Sequence, residues 1–128
     1  MTSDSLALFD NQSFFNLETF RKDGSGVKTP LWFANIDGAL YIRTGADSWK
    51  VKRLRAQPQV RITPSDSRGN PSGPWVDAQA TIVDDPAMKK RVEQAFAKKY
   101  GLQKRLFELM SRLRGGATTG TVRIDLVG

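Results

Sequence analysis

Residues 27–44 read VKTPLWFANIDGALYIRT, and this stretch decides the fold. It holds two runs rich in β-branched and aromatic residues on either side of Asp37-Gly38, a dipeptide that readily takes the positive φ angles of a tight hairpin turn. The pattern predicts a strand over 27–36 and another over 39–44. The continuous apolar run at 31–34 indicates burial on both faces, as inside a barrel.

The segments on either side of this stretch extend the same antiparallel pattern. A strand is predicted over 14–21, and the turn 22–26 that follows it contains a second Asp-Gly pair. Two successive hairpins make an antiparallel meander. After the third strand, 48–56 is predicted as a short helix with Ser48 as its N-cap, and Pro58 follows its end.

The rest of the chain contains further segments with the residue patterns of strands and of helices. The predicted elements are a strand at 60–63, a loop at 65–74, a strand at 75–83, a helix beginning at Pro86, a second helix at 102–113 and a last strand at 119–127. Six antiparallel strands with few crossovers are typical of a small barrel and not of a doubly wound sheet. The predicted class is mainly β with helices, a six-stranded antiparallel barrel in a single domain over 1–128.

The size and composition of the chain are those of a globular domain. It has 128 residues, 39% hydrophobic and 26% charged, which leaves room for one domain. No apolar run approaches the roughly 20 residues that span a bilayer. The first ten residues have two acids, no base and no long apolar stretch, unlike a secretory signal. A cytoplasmic protein that binds no membrane is therefore expected.

Two residue types are missing, and their absence excludes several chemistries. The chain has no cysteine and no histidine. A thiol nucleophile, a Ser-His-Asp triad and a Cys/His zinc site are therefore excluded. The 13 acidic residues form no ligand-like cluster in the sequence, so no metal site is expected. An enzyme of this composition is expected to take its difficult chemistry from a bound cofactor.

The charge balance favours an anionic partner. The net charge is +7, which suits either nucleic acid or a phosphorylated small molecule. Four bases crowd the short helix at Lys50, Lys52, Arg53 and Arg55. A lysine in the first turn opposes the helix dipole, whereas helix N-termini bind phosphate. This segment is therefore either a phosphate site or a solvated basic helix face, and the residues alone leave both open.

Several short motifs together resemble a known family. They are Asn16–Gly24, Val27–Phe33, Thr44 with Lys50–Leu54, Asn70–Val76 and Lys99–Leu102. In their order and spacing, the chain resembles the split-barrel flavin-binding superfamily of pyridoxamine 5′-phosphate oxidase. It is most similar to the deazaflavin (coenzyme F420)-dependent oxidoreductases within that superfamily. The resemblance implies a split β-barrel of the FMN-binding type and a homodimer with two cofactors at the subunit interface.

The resemblance also implies which residues contact the cofactor. Thr44, Ser48 and Lys50 match phosphate-contacting positions of the family, with Arg53 as a helper. The strand along the tricyclic ring corresponds to residues 28–32. Its members, all implied to bind the cofactor, are Lys28, Thr29, Pro30, Leu31 and Trp32. The C-terminus lacks the substrate-binding residues of the oxidases, which argues against a pyridoxamine phosphate oxidase in the strict sense.

The tryptophans and the bases of the long helix can be explained by packing and by solvent exposure. Trp75 follows a Gly-Pro corner and is predicted to lie in the barrel core or in a dimer interface. For Trp32, a position in the core and a contact with the cofactor ring are equally expected. The bases along the helix after Pro86 are predicted to be solvated; they are Lys89, Lys90, Arg91, Lys98 and Lys99.

The resemblance implies an oxidoreductase that transfers a hydride between coenzyme F420, or alternatively FMN, and a small organic substrate. No catalytic acid or base is assigned. The alternative is a non-catalytic flavin or tetrapyrrole carrier or sensor, although the lack of histidine removes the usual axial ligand of haem. Nucleic acid is not the expected partner, because Phe33, Tyr41 and Trp75 are interleaved with apolar residues and not with a basic stripe.

Overall fold

The structure is a computed structural model that describes residues 2–45, 49–101 and 119–127. Its strands are β1 (Phe14–Phe20), β2 (Gly26–Trp32), β3 (Ala34–Ile36), β4 (Ala39–Gly45), β5 (Gln59–Ser65), β6 (Val76–Val83) and β7 (Thr119–Leu126). Its helices are α1 (Thr2–Ala7), α2 (Trp49–Ala56) and α3 (Pro86–Tyr100). The predicted helix at 102–113 lies outside the described residues. No described helix has the length and apolar character needed to cross a membrane.

One antiparallel sheet contains all seven strands in the order β2-β1-β5-β6-β7-β4-β3. Its two edge strands, β2 and β3, are separated in the chain by Phe33 alone. The sheet must therefore curl until its ends meet, and β2 contacts β4 across the gap. Within the described residues the two edges share no ladder of hydrogen bonds, so the barrel is open on this side. The predicted class, mainly β with helices, is confirmed.

The predicted number of strands is wrong, because the strand expected over 27–36 is broken into β2 and β3. Phe33 leaves the ladder at the break. Its backbone N–H donates to the hydroxyl of Tyr100 (3.0 Å), and its carbonyl accepts from the same hydroxyl (2.6 Å) and from Lys99 Nζ (2.8 Å). Side chains at the end of α3 thus replace the strand partner that Phe33 lacks, and the sheet has seven strands.

Local signals set the turns and the ends of the long helix. Asp37 and Gly38 have φ angles of 54° and 91°, the positive values that a type I′ hairpin requires. The side chain of Asp85 caps α3 by accepting a hydrogen bond from the Ala87 N–H, and proline occupies the first turn. Gly101 ends the helix at a positive φ of 53°.

Two hydrophobic clusters lie on opposite sides of the sheet. The larger one fills the barrel and includes Phe15, Leu17 and Ile124, with Leu54 of α2 and Phe9 after α1 closing it. The second lies between α3 and the outer surface of β3 and β4. Helix α1 has no counterpart among the predicted elements; it brings Leu6 against the larger cluster.

Candidate functional site

Strand β2 carries five of the predicted cofactor contacts, and its two faces have different surroundings. Thr29 and Leu31 lie opposite Leu17 and Phe15 of β1, and these two β1 residues are fully buried in the barrel core. The alternate residues of β2 project from the other face. They are Lys28, Pro30 and Trp32, opposite Glu18, Asn16 and Phe14. A ligand along this strand would therefore meet the face that carries Lys28, Pro30 and Trp32.

Lys28 belongs to a group of charged and aromatic side chains that come from four strands and a loop. Its Nζ and the Cζ of Arg61 both lie over the Trp75 ring, each 5.3 Å from the ring centroid. Arg61 also contacts the carboxylates of Glu18 (3.4 Å) and Asp77 (4.0 Å). Trp75 is therefore a half-buried platform for two cations, and within this chain it lies outside the barrel core that the sequence suggested.

Trp32 belongs to the second cluster. Its ring stacks on that of Tyr100, with the centroids 4.4 Å apart and the planes 12° apart. The Tyr100 hydroxyl is held by the backbone of Ser13 and Phe33, and burial raises its pKa above the usual value. Helix α3 thus holds Trp32 on one side. The part of its ring that remains exposed lies at the open edge of the barrel.

The predicted phosphate contacts lie where β4 ends and α2 begins. Thr44 is opposite Gly120 of β7, and α2 starts at Trp49, with Lys50 in its first turn and no acidic residue there. Ser48 lies outside the described residues, as does the side chain of Lys50. Because only a few residues separate Thr44 from α2, the chain itself keeps these positions close.

Arg53 has a defined partner. Its Nη1 donates to the Thr19 hydroxyl of β1 at 3.1 Å, so this guanidinium ties α2 to the end of the barrel. Arg43, next to Thr44, forms an ion pair with Glu93 of α3, with Nε and Oε1 2.7 Å apart. Two of the bases near the predicted phosphate site are therefore engaged in holding helices to the sheet.

A small cavity of about 60 Å³ lies beside the same junction. Its lining includes Val51 and Arg55 of α2, Gly120 and Lys89. Lys89, predicted to be solvated, thus lies close to the strand that faces Thr44. Ligand sites have volumes of roughly 300–1,000 Å³, so this cavity suits a small group and would need further walls to hold a tricyclic ring.

The sequence predicted Lys99 only as a solvated base and did not indicate that Lys99 and Tyr100 would contact the break between β2 and β3. The only signal was their position in a motif shared with the family. Within the described residues, no three His, Cys, Asp or Glu side chains form a group that could hold a metal ion.

Comparisons with known proteins agree with this architecture. A family model for Pyridoxamine 5′-phosphate oxidase matches residues 1–118, and the sequence matches no curated protein. Among solved structures, a FAD-binding protein from Mesorhizobium loti is 19% identical, with a TM-score of 0.66, over 100% of this chain and 89% of its own. The heme storage protein HutZ from Vibrio cholerae is 14% identical, with a TM-score of 0.70, over 98% of this chain and 89% of its own.

A third structure, a conserved hypothetical protein from Mycobacterium tuberculosis, is 23% identical and has a TM-score of 0.70. The alignment covers 98% of this chain and 80% of that one. At these identities the structural likeness establishes the fold, which is the split barrel, and the family model covers nearly the whole sequence. The chain belongs to the pyridoxamine 5′-phosphate oxidase family.

Proposed function

We propose that this chain binds a flavin-type cofactor, coenzyme F420 or FMN, and transfers a hydride between its ring and a small organic substrate. The cofactor would supply the hydride chemistry through its ring. The protein's own residues would bind and orient it: Thr44, Ser48 and Lys50 at the phosphate, and residues 28–32 along the ring. No side chain is assigned as a proton donor.

The observation that carries this proposal is the set of side chains along one face of β2, together with the charge at the start of α2. Lys28 and the half-buried Trp32 lie on one face of an edge strand, which suits a planar, anionic ligand. The first turn of α2 contains Lys50 and no acidic residue, and a helix N-terminus of this kind favours phosphate. Membership of the family supports the same assignment.

A second candidate is a non-catalytic carrier or sensor of a flavin or a tetrapyrrole. The observation that favours it is the shared fold with HutZ, a heme storage protein. The absence of histidine weighs against haem held through the usual axial imidazole. Turnover of the bound cofactor by a reducible substrate would separate the enzyme from the carrier.

Assembly provides the first test. The cavity at the β4–α2 junction is about 60 Å³, so we expect a second copy of the chain to complete the cofactor site, as a two-fold homodimer. Light scattering should give twice the chain mass of 14.3 kDa at micromolar concentration. A monomer under these conditions would rule out a site shared between subunits.

Titration at two salt concentrations tests the choice of partner. A protein that neutralises six phosphates of duplex DNA loses affinity with a log–log slope of about −5. A cofactor with few phosphates releases few counterions, and its ring is bound by burial, which salt does not screen. Quenching of tryptophan fluorescence by FMN and by F420 should therefore change little between about 50 and 200 mM salt. Tight DNA binding at the higher salt, with no affinity for either cofactor, would refute the proposal.

A further inference from the structure

A larger cavity lies at the end of α3, where this helix meets the segment after α1 and the break between β2 and β3. Its volume is about 420 Å³, within the range of small-molecule sites. The lining comes from residues 9–13, from Phe33 and Asn35, and from Lys99. Of the predicted cofactor contacts that the structure describes, none lines this cavity.

Among the described residues of this lining, Lys99 is the one basic side chain; it is exposed overall, although its Nζ lies against Phe33. Its Nζ donates to the Phe33 carbonyl at 2.8 Å and lies 3.7 Å from the centroid of the Phe33 ring. An ammonium has three N–H donors. Within the described residues, neither a second hydrogen-bond acceptor nor a carboxylate contacts Nζ, so two donors are left for water or a ligand.

The rest of the lining is mainly polar and offers further donors. The Asn35 side-chain oxygen accepts a hydrogen bond from the Gly38 N–H at 3.0 Å, which leaves the Asn35 amide NH₂ to donate elsewhere. Asn11 and Gln12 add two more amides. Among the described residues of the lining, Asp10 is the one carboxylate, and its charge disfavours ligands that carry several negative charges.

We propose that this cavity is a binding site for a small monocarboxylate, held by the ammonium of Lys99 and by the amide groups around it. A carboxylate would give this ammonium a charged partner beside the Phe33 carbonyl, and charge-assisted hydrogen bonds of this kind are stronger than neutral ones. The single cation and the nearby Asp10 match one negative charge better than two. The site requires no cofactor.

The proposal predicts a dependence on pH. Burial lowers the pKa of Lys99 to about 8, so its ammonium loses its charge as the pH rises through that value. The other groups that face it are Asp10 and Tyr100, and burial raises the pKa of the Tyr100 hydroxyl, which keeps it neutral. We therefore expect carboxylate affinity to fall about tenfold or more between pH 7 and pH 9.5.

Calorimetric titration of the full chain with benzoate, in the absence of cofactor, tests the proposal. Benzamide has the same shape without the charge and should bind at least about tenfold more weakly at pH 7. The variant Lys99→Met should lose about tenfold to a hundredfold in benzoate affinity. The matched control Lys98→Met removes the neighbouring exposed lysine and should leave the affinity almost unchanged.

A second variant keeps the test decisive if Lys99→Met folds poorly. Lys99→Arg retains a positive charge at pH 9.5, so its benzoate affinity should be nearly the same at both pH values. Equal binding of benzoate and benzamide, equal losses in the Lys98 and Lys99 variants, or an unchanged pH dependence in Lys99→Arg would each overturn the proposal. Because cofactor is absent, these outcomes are independent of those for the cofactor site.

Discussion

Replacing Phe15 by alanine is expected to lower the free energy of unfolding by about 3–5 kcal/mol. Phe15 has no exposed surface. Its ring stacks on Phe33, with the centroids 4.7 Å apart, and meets the edge of Phe9 at 6.1 Å. The substitution would therefore remove the contacts with Phe9 and Phe33 and leave a cavity in the barrel core.

Chemical denaturation of the two proteins at one fixed protein concentration measures this loss. Phe14→Ala is the matched control, because the same residue type one position earlier lies on the opposite face and is only half-buried. Its cost should be less than half that of Phe15→Ala. Equal costs would mean that the barrel interior is not the main source of stability.

Replacing Lys50 by alanine should weaken cofactor binding by about 1.5–3 kcal/mol, the value of a hydrogen bond to a charged group. This prediction rests on the proposed cofactor site. Lys50 lies in the first turn of α2, next to the end of β4, where helix N–H groups and a lysine would converge on a phosphate. Quenching of tryptophan fluorescence by FMN and by F420, compared between wild type and variant, measures the loss.

The structure also determines the appropriate control for this experiment. Lys89 lines the small cavity next to Gly120, which faces Thr44, so it is too close to serve as a neutral comparison. Lys90 is exposed on α3, and Lys90→Ala should change the affinity little. If both variants lost affinity equally, the cofactor would be held by the general positive field and not by a phosphate site at α2.

Much of the local structure could be predicted from the sequence. Apolar and polar residues alternate along Val76–Val83, as in a strand with one buried face, and Ala78 and Ala80 are buried on that face. The Asp37-Gly38 turn, the start of α3 at Pro86 and its end before Gly101 all follow from residues in direct succession. Such features depend on backbone preferences of a few neighbouring residues, so a short pattern is sufficient to predict them.

The candidate site was predictable only in part. The positions on β2 and at the start of α2 came from a family resemblance, and they stay a prediction. The cations over Trp75 were not foreseen, because Lys28 and Arg61 come from separate strands. A tryptophan after a Gly-Pro corner gives no indication of which charged side chains will lie over its ring.

Local sequence patterns were sufficient to predict the class of fold and the hairpin turns. The break in the second strand and the surroundings of Lys99 become visible only in the folded chain. Both depend on Tyr100 and Lys99 reaching the backbone of Phe33, which lies 67 residues from Tyr100 in the chain. Hydrogen bonds over such a separation form only when the whole sheet has curled and α3 has packed against it, and no local pattern encodes that geometry.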